Sequence, residues 1–260
     1  MKKFTSTLSL IVLIVLAIWQ YFTDSTKTKN QSPSPVIEQT KQTKVSEPKF
    51  EPQFETKRTD IEKNAVKNLN VFANYDVIMR DDPIGQNAKA PVDYYMLALS
   101  WSPGFCDIQR EKYGNQLPSS SQYQCGNNRT LGWVVHGLWP QNANALSVTD
   151  HPRFCKGDLP VLPKDLLARY LAISPGEQLL QGEWEKHGSC AFDSAQQYFA
   201  KEQELFSSLK LPNQNLSRNE LFRWMKQHNP QLKNAYLGAS RNELFICYDK
   251  KWQVMSCQSK

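Results

Sequence analysis

Apolar residues fall into two kinds of pattern along this chain, separated by long polar stretches. Short, densely apolar runs with β-branched or aromatic residues read as strands: "DYYMLALSW" at 93–101 and "TLGWVVHGL" at 130–138. The first should close at a turn through Ser102-Pro103-Gly104, and the second should stop at Pro140. Four segments have helical spacing instead: "PKDLLARYLA" at 163–172, "EQLLQGEWEKHG" from Glu177, "DSAQQYFAKEQELFSSL", and "SRNELFRWMKQH". Asp193 or Ser194 should cap the third, and Ser217 with Glu220 forms a capping box for the fourth. The C-terminal "NELFICYDKKWQVMSC" reads as two antiparallel strands. Strands and helices do not alternate regularly, so the expected class is α+β, with an antiparallel sheet flanked by helices.

The N-terminal quarter breaks this pattern. Lys2 and Lys3 precede an apolar run from Leu8 to Trp19, the layout of an export signal and short for a membrane span. No Ala-x-Ala site follows, which leaves two fates for residues 1–22: a cleaved signal, or an uncleaved anchor attaching the protein to the membrane through residues 4–22. Residues 23–69 are polar, and Pro33, Pro35, Pro48 and Pro52 oppose a helix there. Too few aliphatic side chains are present to offset the entropy of ordering this stretch, so a disordered linker is expected. The remaining 70–260 form one domain, exported to the periplasm or the extracellular space. Nothing demands more than a monomer.

Charge changes little. Of the formal +6, residues 1–58 carry nine Lys/Arg against five Asp/Glu, which leaves 22 against 20 for the rest. A nearly balanced domain gives no bulk argument for a polyanionic partner, so such a claim must come from a site. All six cysteines (106, 125, 155, 190, 247, 257) lie behind the export signal, and an even number in an oxidising compartment favours three disulfides. By count alone, fifteen pairings are open. No C-x-x-C or H-E-x-x-H occurs, so neither a metal nor another cofactor is expected.

Two segments carry chemistry. In "GEWEKHGSC" (182–190), Glu183, Lys186 and His187 stand at i, i+3 and i+4 of a helix and share a face; a solvated ion pair is the plain alternative. In "GWVVHGLWPQ" (132–141), His136 ends the strand and Trp139 follows, an indole on which a base can stack. Two imidazoles, a carboxylate and a lysine suit phosphodiester cleavage without a metal, one ring acting as base and the other as acid.

"HGLWP" (136–140) and "EWEKHGSC" (183–190) closely resemble the two active-site segments of the ribonuclease T2 family. "YYMLALSWSPGFC" (94–106) is similar to that family's first core strand in its bacterial form. The resemblance covers residues 90–260. It implies that His136 and His187 are the catalytic pair, supported by Glu183 and Lys186, with Trp139 against a substrate base. It implies single-stranded RNA as substrate and a 2′,3′-cyclic phosphate product; His187 is favoured as base and His136 as acid, with the exchanged roles left open. It also suggests the pairings Cys106–Cys125, Cys155–Cys190 and Cys247–Cys257. Two positions depart from the pattern. Gly182 stands where many members carry a third histidine, which should weaken substrate affinity, and Gln141 where many have Asp, so base preference does not transfer. His151 and His228 match no catalytic position and read as surface or structural. A disulfide-stapled RNA-binding protein without strong turnover and a metal-dependent nuclease are the rival readings, the latter disfavoured by the lack of an acidic cluster.

Overall fold

The computed structural model describes residues 74–126 and 131–258, all within one compact unit, Gln53–Lys260. The expected signal and linker, 1–22 and 23–69, lie outside the described residues. No helix among the described residues is long and apolar enough to cross a membrane.

Strand β1 (Tyr94–Trp101) lies between β2 (Trp133–Gln141) and β4 (Glu243–Tyr248), antiparallel to both. Two short strands, β3 (Gly238–Ala239) and β5 (Val254–Met255), pair with β4. Neighbours on both edges explain why β1 is apolar in nearly continuous fashion, with Leu97, Ala98 and Leu99 fully buried. Helices α4 (Glu177–Lys186), α5 (Ala195–Ser207) and α6 (Arg218–His228) supply Leu180, Trp184, Tyr198, Phe199 and Met225 to the same core as Leu138, Leu244 and Ile246. Ser194 caps α5 by accepting from the Gln197 amide, and the Ser217–Glu220 capping box opens α6. The fold is therefore α+β with an antiparallel sheet.

Three local expectations are corrected. Ser102-Pro103-Gly104 is the first turn of a helix, α1 (Ser102–Tyr113), because proline at the first helical positions loses no intrahelical bond and has its φ already set. A further short helix, α2 (Ser119–Cys125), had no apolar periodicity to announce it. Pro140 does not stop β2, which runs on to Gln141. β2 is an edge strand, so the missing N–H at Pro140 costs no ladder bond. The helix expected over 163–172 is only five residues, α3 (Lys164–Ala168). Beyond it the chain turns to bury Tyr170, Leu171 and Ile173, and the Ile173 carbonyl accepts the Val135 amide of β2.

Disulfides join Cys106 to Cys125 (α1 to α2), Cys155 to Cys190, and Cys247 to Cys257. The second closes 35 residues and ties the loop after β2 to the turn after α4. Replacing both Cys155 and Cys190 by Ser should lower unfolding free energy by about 4 kcal/mol on the chain-entropy account. Urea denaturation monitored by tryptophan fluorescence measures it; an unchanged midpoint would contradict the assignment.

Candidate active site

The first catalytic candidate owes its position to an irregularity in the sheet. Ala98 pairs with Gly137 and Leu99 with Val135, so His136 is an extra residue bulged out of β2. A bulge re-aims the side chain it carries. His136 is thereby turned to a half-exposed position between buried Val135 and Gly137, and the freed Val135 N–H finds Ile173.

The second segment comes from the end of α4. Glu183 lies one turn before its C-terminus, Lys186 is its last residue, and His187 leaves helical geometry at φ −124° and ψ −53°. The side chains of Glu183 and His187 nonetheless stay together, with His187 Nε2 4.0 Å from Glu183 Oε2. On the other side, His136 Nε2 is 3.7 Å from Glu183 Oε1. One buried carboxyl group thus stands between the two imidazoles. Trp139 Nε1 donates to Glu183 Oε2 at 2.7 Å, and the indole packs against both histidine rings and Phe245. Holding Glu183 is a role for Trp139 that the sequence did not announce.

The glycines of both "HG" pairs serve close packing. A Cβ on Gly137 would collide with the Glu183 carboxylate and come within 2.6 Å of Trp139 Nε1. One on Gly188 would lie 2.7 Å from both the Trp184 and Tyr198 rings. Beneath the strand, the Leu138 amide donates to the Tyr198 hydroxyl at 3.0 Å. Tyr198 in turn contacts buried Glu202, whose carboxyl is pushed well above the usual range by burial.

The two imidazoles sit in opposite electrostatic settings. Burial alone would lower His136, but its Nδ1 lies 2.6 Å from Glu243 Oε1, and this bond with the charges of Glu183 and Glu243 raises it above the ordinary value. Ser240 Oγ fixes Glu243 by donating to Oε2 at 3.0 Å. His187 is driven well below the ordinary value, by burial first and then by the charges of Arg153 and Lys186. Its Nδ1 is buried with no hydrogen-bond partner among the described residues, so no acceptor steadies a second proton. Burial raises the Glu183 carboxyl against the opposing pull of His136, Trp139 and Lys186.

Lys186 does not pair with Glu183. It reaches Asp82 Oδ2 at 3.1 Å, while Arg153 holds Oδ1 of the same carboxylate at 2.8 Å. Burial would raise Asp82, but the bonds from Lys186 and the Ile84 amide, with both cations, bring it down to about 2. Val77, on the same N-terminal strap, lies 3.3 Å from where a Cβ on Gly182 would stand, so a side chain at 182 would press on the strap. Asp82, Arg153 and Glu243 were missed by sequence reasoning. Each is a single charged residue far along the chain from its partner, and only Glu243, opening the apolar run "ELFICY", offered any signal.

His151 is buried in the wall of the cavity that also holds Trp139 and His187, its Nδ1 accepting from the Asn142 amide, and His228 stacks on Trp224. Gln141 is buried and turns its side-chain amide to the Pro140 carbonyl. No group of three or more His, Cys, Asp or Glu side chains among the described residues is arranged to hold a metal ion. Two cavities, about 620 and 730 Å³, meet at His136, Glu183 and Lys186. Phe105, Ile108 and Leu179 line the first; Met96, Trp139 and Phe245 line the second.

The site is a pair of imidazoles set about one buried carboxyl group on a disulfide-stapled α+β frame. Comparison with known sequences is more specific: residues 92–257 match the model of the Ribonuclease T2 family. The chain is 85% identical over 272 aligned residues, the whole of both proteins, to a probable ribonuclease of Haemophilus influenzae. It is 36% identical over 99 residues, 38% of each chain, to a ribonuclease of Aeromonas hydrophila. Among solved structures, trichomaglin, an S-like ribonuclease, aligns with a TM-score of 0.48 at 18% identity, over 65% of this chain and 92% of that one. The chain belongs to the ribonuclease T2 family and is an endoribonuclease. Asp82, outside the matched residues, is contributed by a segment preceding the family region.

Gly137→Ala should leave the fold intact and displace Glu183. A shift on the order of 1 Å at such a group costs about 10²-fold in kcat. Circular dichroism with single-turnover RNA cleavage checks this, and full activity would show that the close approach is not needed.

Proposed function

We propose that the protein cleaves single-stranded RNA, without a metal, by attack of a ribose 2′-oxygen on its own 3′-phosphate. The observation that carries this reading is the opposed setting of His136 and His187 on either side of Glu183. Two titratable groups whose environments push them apart in pKa suit complementary acid and base roles. His187, favoured neutral, takes the proton from the 2′-OH. The O2′–P bond forms as the P–O5′ bond breaks, and His136, favoured charged, gives its proton to the departing 5′-oxygen. The products are a 2′,3′-cyclic phosphate and a 5′-hydroxyl end. Lys186 and the Glu183 carboxyl group stabilise the charge on the non-bridging oxygens of the pentacoordinate phosphorus. DNA lacks the nucleophile and is spared. The cavities meeting at this centre suit a nucleoside on each side of the reacting phosphate, with Trp139 against one base. The N-terminal signal pattern and three disulfides support export to an oxidising compartment.

His136→Phe and His187→Phe should each lower turnover of RNA by about 10² to 10⁴ in excess EDTA, the worth of one general acid or base. Cyclic-phosphate ends on wild-type products, read by mass spectrometry, are the accompanying positive result. Both variants staying within about threefold of wild type, against that range, would remove the assignment.

The pH profile provides a separate check on the roles. Activity requires His187 without its proton and His136 with it. The acid limb of kcat/KM should therefore fall below the ordinary imidazole value of about 6.5, and the alkaline limb above it. Glu243→Gln removes the anion that raises His136, so the alkaline limb should move to lower pH while the acid limb stays. Movement of the acid limb alone would contradict the placing of His136 as the higher-titrating ring.

A further inference from the structure

The cavity holding Trp139 and His187 does not end at the reacting centre. It continues along β3 and its preceding segment to Tyr236, and across to Arg218 and Gln258. Neither the acid–base chemistry nor the base position beside Trp139 uses this outer end.

Its side chains are of the kinds that bind a nucleic-acid strand. Tyr236 is 45% exposed, unusual for a large aromatic ring in this domain, yet its backbone is tied down: its N–H donates to Ser256 Oγ at 3.0 Å, and its carbonyl accepts the Cys257 amide at 2.9 Å. The Cys247–Cys257 disulfide anchors that partner segment to β4. A ring that is open to solvent on a fixed backbone is a stacking platform that gives up little freedom when a base lands on it. Arg218 is exposed, lies over the Phe222 ring at 5.5 Å, and makes no ion pair among the described residues. An unpaired guanidinium is free to take a phosphate bidentately.

We infer that Tyr236 and Arg218 form an outer nucleotide subsite, Tyr236 stacking a base and Arg218 holding a phosphate of the same RNA strand one step or more from the cleaved bond. The subsite rests on the proposed RNA-cleaving reading for its substrate, and it makes the protein prefer chains longer than a dinucleotide. Stacking tolerates any base, so the added affinity carries little sequence preference.

The test uses the full chain and uncleavable 2′-deoxy oligonucleotides, so that binding is read apart from turnover. Dissociation constants are measured by fluorescence anisotropy for a dimer and for tetramers extended at the 5′ or the 3′ end. One of the two tetramers should bind the wild type at least about fivefold more tightly than the dimer, the lower end of one stacked base. In Tyr236→Ala that ratio should fall to near one; Tyr236→Phe should restore it. In Arg218→Ala the slope of log affinity against log salt for the tetramer should lessen by about 0.7, the loss of one phosphate contact on a single strand. Equal tetramer-to-dimer ratios in wild type and both alanine variants would overturn the subsite. Wild-type cleavage of a ribodinucleotide to a cyclic phosphate, run in parallel, reports on the acid–base reading alone, so the two can fail separately.

Discussion

Everything at this centre is arranged around one buried carboxyl group. Glu183 lies between two imidazoles, takes the Trp139 N–H, and rests against the bare backbone of Gly137. An isolated carboxylate in such a place would be expensive, since burial disfavours its charge. Here the neighbouring cations and the indole donor offset part of that cost, which leaves the group raised but coupled to both rings. The sequence features around it become intelligible as its requirements. Gly137 gives it room, Trp139 holds it, and its place one turn before the end of α4 sets it beside His187.

The opposite electrostatic settings of the two histidines depend on what stands behind each ring. His136 has Glu243 at its back, itself pinned by Ser240, and this carboxylate together with Glu183 outweighs the desolvation that burial brings. His187 has no such partner, and two cations lie near it. Identical side chains are therefore pushed in opposite directions through placement alone. Asp82 completes the pattern by drawing Lys186 and Arg153 together on one strap-borne carboxylate. The cationic side of the site is thus assembled from three separate segments of the chain, one of them upstream of the family region.

Much was legible in the residues themselves. Strands β1 and β2, three of the helices, the caps of two of them, and the shared helix face of Glu183, Lys186 and His187 follow from periodicity and spacing, while the joining of His136 to that group is what the family resemblance implied. Local rules also misled, and for definable reasons. Pro140 reads as a strand stop until β2 is known to be an edge. Pro103 reads as a turn until it is seen to open a helix. The α3 segment reads as ten helical residues, but the chain beyond Ala168 instead supplies a carbonyl to Val135 and buries its apolar side chains. At Pro140 and beyond Ala168 the tertiary setting overrode a local preference, whereas Pro103 follows the local rule for the first turn of a helix.

The sequence by itself determined the chemical inventory: two histidines, a glutamate, a lysine and a tryptophan in two short segments, with glycines where close approach would be needed. Those are matters of covalent identity and short-range spacing. Only the tertiary structure decided which nitrogen faces which carboxylate, because that depends on a bulge in register between β1 and β2. Nor could spacing reveal Glu243, 107 residues from His136, or Asp82, brought to Lys186 by a strap. Electrostatic fields act through space rather than along the chain, so the opposed settings of the two imidazoles exist only once distant segments are packed together.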